Sequence, residues 1–330
     1  MNSDFSKKQK YSAVVIGAGR IGSSFDDLSS RCVLTHAHAI SAHTRFELLG
    51  MSDIDSRVGK REAKKWRTCF YADNDRMLSE IRPDVVVIAS PDETHAEMIM
   101  LALQYSPKLI ICEKPVVAKQ EELSQLKEVI KKFEIPVIVN FSRRFDATTV
   151  RLGEELQKRT YGRVISANGT YTNGVLHNGS HLLDLARFFF GEIKEVKGLG
   201  TVPDHGQGAP SVVGFATFEG CPQFSLLSGD ERAYAVFEME IMTEKKRIRL
   251  ENFGQELVMQ DVEPDPIFKG FKALSKRKVT KTKLNFALPE LYLHALRVLE
   301  GEEPSRSSLA EGLETQAACF ALLESVSRKN

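Results

Sequence analysis

Cysteine is sparse in this chain and follows no regular spacing. The five cysteines, Cys32, Cys69, Cys112, Cys221 and Cys319, are odd in number, form no CxxC pair and have no histidine at zinc-ligand spacing. Neither a disulfide framework nor a zinc site is expected, and a reducing compartment suits them. Long apolar runs are missing too. None reaches the roughly 18 residues of a membrane span, and the opening MNSDFSKKQK lacks the apolar core of a secretion signal, so a cytoplasmic location without a membrane partner is expected. No charge of one sign is in excess: with 45 basic and 44 acidic residues the formal net charge is +1, which gives no global field to attract nucleic acid. There is no internal repeat and no low-complexity tract. What is present, 42% apolar and 27% charged residues over 330 positions, is the make-up of a globular chain long enough for two domains.

In the first 140 residues short apolar runs alternate with helical patterns, which is how a parallel sheet with crossover helices is written in sequence. Strands are expected at Ser12–Ile16, Glu47–Met51, Val85–Ala89, Leu109–Cys112 and Val137–Asn140, with a weaker one near Thr68–Tyr71, and helices from Thr94 and from Glu121. This reads as an α/β Rossmann domain, a doubly wound parallel sheet. The pattern changes after Arg144. A helix over 147–159, an alternating strand in GRVISANGTYT and a compact apolar helix SHLLDLARFFF ended by Gly191 come first. Short strands divided by Gly, Pro and Asp then run from Lys194 to about Met259, and two helices follow near 286–299 and 308–327. The expected division is 1–145 as a dinucleotide-binding domain and 146–330 as an α+β substrate-binding and oligomerisation domain with an antiparallel sheet, its last helices able to pack back on the N-terminal part.

YSAVVIGAGRIGSS places Gly17, Gly19 and Gly22 in GxGxxG spacing directly after the first strand. Gly17 allows the tight turn, Gly19 lets the backbone approach a pyrophosphate, and Gly22 lets the following helix pack on the sheet with its N–H groups toward the anion. The position after a strand gives the motif its weight. The second strand ends on Asp53, an acid that can accept from ribose hydroxyls and repel a 2′-phosphate, which favours NAD. Asp53 lies about 31 residues after Gly22 and Arg57 could reach a 2′-phosphate, so NADP stays open, as does a merely solvated Asp53. SSFDDLSSRCVL reads as an insertion that explains the extra length. In THAHAISAH, His36 and His38 are two apart and face different sides of a helix, so no metal is expected. The basic stretch KGFKALSKRKVTKTK, 269–283, reads as a solvated loop, with an anion site for a substrate phosphate as the alternative.

Four segments in order, Gly17-Ala18-Gly19-Arg20-Ile21-Gly22, Ser90-Pro91-Asp92-Glu93-Thr94-His95, Glu113-Lys114-Pro115 and Gly179-Ser180-His181-Leu182-Leu183-Asp184, together resemble the glucose–fructose oxidoreductase, inositol dehydrogenase and MocA family, from about Ala13 to Phe190. The resemblance implies an N-terminal Rossmann domain, a C-terminal domain with an open-faced antiparallel sheet, and a substrate held over the nicotinamide. It implies that Gly17, Gly19, Arg20, Ile21, Gly22, Asp53, Ser90, Pro91, His95, Glu113 and Lys114 attend the dinucleotide. Lys114, at the end of the fifth strand, would hydrogen-bond the reacting hydroxyl and stabilise developing oxyanion charge, with Glu113 orienting it. Pro115 would fix the backbone, through a cis peptide in many members. His181 would exchange the hydroxyl proton. Asn140, Arg144 and Asn178 are candidates for holding substrate, and Arg143 for substrate or cofactor. The family's Asp-x-Gly-x-His-x-x-Asp has an acid where this chain has His177, which can relay a proton near pH 7 but supplies no fixed negative charge. Ser180 is expected as a helix N-cap, placing His181 in a first turn whose dipole favours the neutral ring.

The expected protein is an NAD(P)-dependent oxidoreductase acting on a secondary alcohol or ketone of a sugar, cyclitol or nucleotide sugar, with NAD as cofactor. Its partners are a small-molecule substrate and copies of itself, in a homodimer or homotetramer formed through the C-terminal sheet. Two rivals stay open: a non-catalytic dinucleotide- and ligand-binding regulator, which the exchange at His177 supports, and an NAD-assisted glycoside hydrolase.

Overall fold

The computed structural model describes residues 10–203 and 209–328; the polar start noted above lies, up to residue 9, outside the described residues. The chain forms two compact units, each discontinuous in sequence. The N-terminal unit is Met1–Asn140 with Leu288–Ala310, and the C-terminal unit is Phe141–Ala287 with Glu311–Asn330.

In the N-terminal unit, β1 (Tyr11–Ile16), β2 (Phe46–Ser52), β3 (Cys69–Tyr71), β4 (Val85–Ile88), β5 (Leu109–Cys112) and β6 (Val137–Val139) pair in parallel in the order β3-β2-β1-β4-β5-β6. This is the doubly wound order. β4 and β5 read VVVI and LIIC and are buried along their whole length, as strands of a covered parallel sheet are. The helices are α1 (His36–Ala42), α2 (Ser56–Trp66), α3 (Asn74–Ile81), α4 (His95–Gln104) and α5 (Gln120–Ile130). Thr35, Asp55 and Asp73 start the first three by accepting N–H groups of the opening turn. Strand order reverses between β1 and β4, so the loops after these strands open the crevice where such sheets bind ligands. Beyond β6, Val139 N–H donates to Ser307 O and Ile138 bridges to Ser308, which covers that sheet edge.

The glycine loop enters a five-residue π-type turn, Arg20–Ser24, and an irregular segment runs from there to Thr35, where the inserted SSFDDLSSRCVL was expected to separate the loop from its helix. The inserted residues explain this, because the Asp26 carboxylate gathers Leu34 N–H, Thr35 N–H, the Thr35 hydroxyl and the His38 ring. That clamp starts the regular helix only at His36.

The C-terminal unit contains α6 (Ala147–Gln157), α7 (Ser180–Phe190) and the strands β7 (Val164–Tyr171), β8 (Ile193–Val202), β9 (Ser211–Phe218), β10 (Phe224–Ser228), β11 (Phe237–Thr243), β12 (Lys246–Glu251), β13 (Glu256–Pro264), β14 (Lys272–Leu274) and β15 (Lys278–Lys281). They form one sheet in the order β14-β13-β12-β11-β7-β10-β9-β8, with β15 also on β13. The sheet is mixed and mostly antiparallel: β7 and β10 run parallel, because the excursion through α7, β8 and β9 returns the chain beside β7 in the same direction. Burial alternates along β9 and β11, and the inward residues meet Leu182, Leu185, Phe189 and Phe190 of α7. Gly169 makes this close seating possible, since a Cβ there would stand 2.4 Å from Leu182 Cδ1. The basic stretch forms exposed edge strands, in which Arg277 pairs with Glu251 and Lys278 with Asp261. Among the described residues, no helix is long and apolar enough to cross a membrane.

Candidate active site

The glycine loop is built from backbone contacts that admit no side chain. Gly17 has φ +97°, and a Cβ on it would lie 2.5 Å from Ala89 O and Ser90 N, so the loops after β1 and β4 touch main chain to main chain. A Cβ on Gly22 would lie 2.0 Å from Gly17 O, which closes the turn on itself. Gly19 differs: nothing stands within 4 Å of its Cβ position. The fold does not need a glycine there, whereas a pyrophosphate approaching the backbone does, so the loop fits a dinucleotide. Arg20 is exposed and Ile21 half-buried at the opening of the π-type turn, where N–H groups have no acceptor within the turn. Five residues carry little macrodipole, so these N–H groups themselves are what the loop offers an anion. Asp53, after β2, accepts the Ala18 N–H at 2.8 Å and therefore braces the same loop.

After β4, the Ser90 hydroxyl lies 2.7 Å from that of Thr94, and Pro91 is exposed. His95 opens α4, on the first turn of the helix after β4. Its ring is fully buried, with Nδ1 2.7 Å from Pro115 O and Nε2 2.8 Å from Ser90 O, so it ties together the loops that follow β4 and β5. Lys114 follows β5, half-buried, and the Lys114–Pro115 peptide is cis. Glu113 is buried, and its Oε1 meets the Asn140 amide at 2.6 Å and His36 Nε2 at 3.0 Å. The His36 ring continues to the Tyr292 hydroxyl at 2.9 Å. Burial acts to raise the Glu113 pKa, but the His36 and Asn140 hydrogen bonds and the charge of Lys114 outweigh it and hold the carboxyl below the ordinary glutamate value. His36 and Tyr292 escaped the sequence reading because 77 and 256 positions separate the bonded pairs, and only the histidines of THAHAISAH hinted at them.

In the C-terminal unit, a π-type turn over Gly174–Gly179 runs directly into α7. His177 is exposed and Asn178 half-buried on that turn. Ser180 is not the N-cap. It already has helical φ −62° and ψ −41°, and its hydroxyl donates to His177 O at 2.6 Å, because the winding turn before it leaves no extended residue in the capping position. His181 is half-buried and edge-on to Phe141, with ring centroids 5.6 Å apart at 86°. Arg144, expected to hold substrate, is instead engaged internally. Its Nε lies 2.9 and 3.0 Å from the Asp184 oxygens and its Nη1 2.6 Å from Glu311, with Arg144 and Asp184 both buried. Burial acts to lower the Arg144 pKa, but Asp184 and Glu311 hold it above the ordinary arginine value. Arg143 stacks 3.6 Å over the Phe237 ring and donates to Phe253 O, and burial brings its pKa down to about 10.

Residues 11–141 match the model of an oxidoreductase family with an NAD-binding Rossmann fold. An inositol 2-dehydrogenase of Rubrobacter xylanophilus is 28% identical over 187 residues, covering 51% of this chain and 54% of its own. A D-glucoside 3-dehydrogenase of Escherichia coli is 25% identical over 237 residues, covering 67% of this chain and 63% of its own. The chain thus spans less than two thirds of the length of these curated relatives. A levoglucosan dehydrogenase solved in complex with NADH has the same fold, with a TM-score of 0.77 at 17% identity and 98% of both chains covered.

Proposed function

We propose that this chain, whose residues 11–141 match that oxidoreductase family, is a member of the glucose–fructose oxidoreductase, inositol dehydrogenase and MocA family and an NAD(P)-dependent oxidoreductase of a secondary alcohol or ketone on a sugar, cyclitol or nucleotide sugar. The observation that carries the reading is the glycine turn at the reversal of strand order, open at Gly19, with Lys114 following the neighbouring β5. A bound nicotinamide would supply hydride transfer to or from the substrate carbon. Lys114 donates a hydrogen bond to the substrate oxygen and stabilises negative charge as the O–H proton leaves. His181 takes that proton in oxidation and returns it in reduction, and exposed His177 is a second carrier where relatives of this type have an acid. Arg20, Ile21, Asp53, Ser90 and Pro91 attend the dinucleotide, Asp53 favouring NAD, while Asn140 and Asn178 bind substrate. Exposed apolar residues on the strands of the C-terminal sheet, Ile165, Leu199 and Leu227 among them, support association through that face, and the thiol pattern supports a cytoplasmic site of action.

Absorbance at 340 nm with a panel of sugars and cyclitols and either dinucleotide tests the proposal. Lys114→Met and His181→Ala should each lower turnover by about 10²-fold or more, with NAD affinity nearly unchanged. Substantial activity in either variant overturns the roles given to them. Product without net reduction would indicate the hydrolase, and dinucleotide binding with neither would indicate the regulator.

A further inference from the structure

One histidine of THAHAISAH has no part in the reaction above, yet it is joined to the residue before Lys114. His36 is fully buried on α1, 3.0 Å from Glu113 through Nε2 and 2.9 Å from the Tyr292 hydroxyl through Nδ1. An ionised carboxylate only accepts, so Nε2 donates to Glu113. Nδ1 and the Tyr292 hydroxyl share the second bond. Burial and the nearby Glu113 charge push the Tyr292 hydroxyl well above its ordinary pKa, which keeps it protonated. Both ring nitrogens are thus engaged, and Glu113 receives two donors, from His36 and Asn140. A carboxylate buried without such donors takes up a proton.

Taking Lys114 as the catalytic amine proposed above, we propose that His36 is a positioning residue: the chain Tyr292–His36–Glu113 keeps a negative charge buried beside Lys114, and that charge holds Lys114 as an ammonium able to donate to the substrate oxygen. The titratable groups around Glu113 are His36 from α1, Tyr292 from the helix Ala287–Leu299, and Lys114 and Cys112 from its own segment. Of these, the Cys112 thiol stays neutral, because burial raises its pKa well above the ordinary value.

The test reads Lys114 directly. Succinimidyl acetate modifies only the free amine, and peptide mass spectrometry gives the rate at Lys114 across pH 7 to 10. His36→Phe keeps the ring volume and removes both nitrogens. A fall of one unit in the lysine pKa raises its free-amine fraction about tenfold, so labelling at pH 8 should rise by about that factor. Glu113→Gln should behave alike. His36→Gln, which keeps an N–H at the ε position, should return the rate close to that of the wild type. An unchanged rate in His36→Phe and Glu113→Gln overturns the inference, and so does an equal rise in His36→Gln, which would report loosened packing. Labelling needs no turnover, so a wild type inactive on every polyol would sink the oxidoreductase reading and leave this result to stand or fall alone. Where turnover is measurable, His36→Phe should move the basic limb of kcat against pH down by about one unit with the KM for NAD unchanged; an unmoved limb counts against the proposal.

Discussion

Replacing Arg144 by methionine separates a structural from a ligand-binding role for this guanidinium. The Arg144 and Asp184 side chains are 3% and 2% exposed, so removing the cation leaves a carboxylate that water cannot reach. Breaking one side of such a pair costs about 3–5 kcal/mol, whereas replacing both partners by apolar residues is often close to neutral. The contact with Glu311 adds little, since that side chain is 34% exposed. Arg144→Met should therefore lower the stability of the C-terminal unit by about 3–5 kcal/mol, roughly 10 °C for a unit of this size, and Arg144→Met with Asp184→Leu should recover most of it. Urea unfolding followed by far-UV circular dichroism measures the loss. Trp66, the single tryptophan, is buried in the N-terminal unit, and its emission follows that unit separately. A loss under about 1 kcal/mol accompanied by a large rise in the substrate KM would refute the reasoning and return Arg144 to the ligand.

Two further outcomes are expected. His294 is buried, lies 2.6 Å from Glu303 through Nδ1 and accepts the Arg306 N–H at 3.0 Å through Nε2, and burial lowers its pKa against the opposing pull of Glu303. Because the folded value lies below the unfolded one of about 6.5, the unfolded chain binds the proton first as pH falls. The contribution of His294 is complete above that unfolded value and is lost as pH drops through it toward the folded value; His43 shifts in the same direction. Denaturation at pH 7.5 and 5.5 should show a smaller acid loss in His294→Gln than in the wild type, and identical slopes would contradict this. In the glycine loop, Gly17→Ala should destabilise by about 1–3 kcal/mol through its positive φ and the contact with Ala89 O. Gly19→Ala should melt like the wild type but bind NAD at least tenfold more weakly by calorimetry; equal melting of the two variants would show that the division between fold and ligand is wrong.

The strands of the N-terminal unit were legible because each apolar run is short, bounded by turn residues and separated from the next by a helical period, as in VVVI and LIIC. The end of α7 was legible from Gly191, which the structure holds at φ +81°. Pairing at a distance was not. Nothing local says that β10 lies parallel to β7, that Arg144 closes on Asp184, or that His36 meets Glu113, because each partner is chosen by how the whole sheet winds. Ser180 shows the same limit on a smaller scale. A serine before an apolar helix caps it only with extended dihedrals, and the turn Gly174–Gly179 winds the chain before Ser180 is reached. The glycine motif was visible, but the usual helix after it was displaced by the segment that Asp26 gathers in.

Residues 288–310 belong to the unit whose other part ends at residue 140, and they include Tyr292 and the segment beside β6. Synthesis proceeds from the N-terminus, so the ribosome releases most of this unit long before its final piece emerges. Until then His36 lacks its phenol partner and the rim of the parallel sheet stays uncovered. The same interleaving constrains evolution: exchanging this unit between related genes by recombination would have to transfer two separated stretches together, since the first alone would arrive without the residues that complete it.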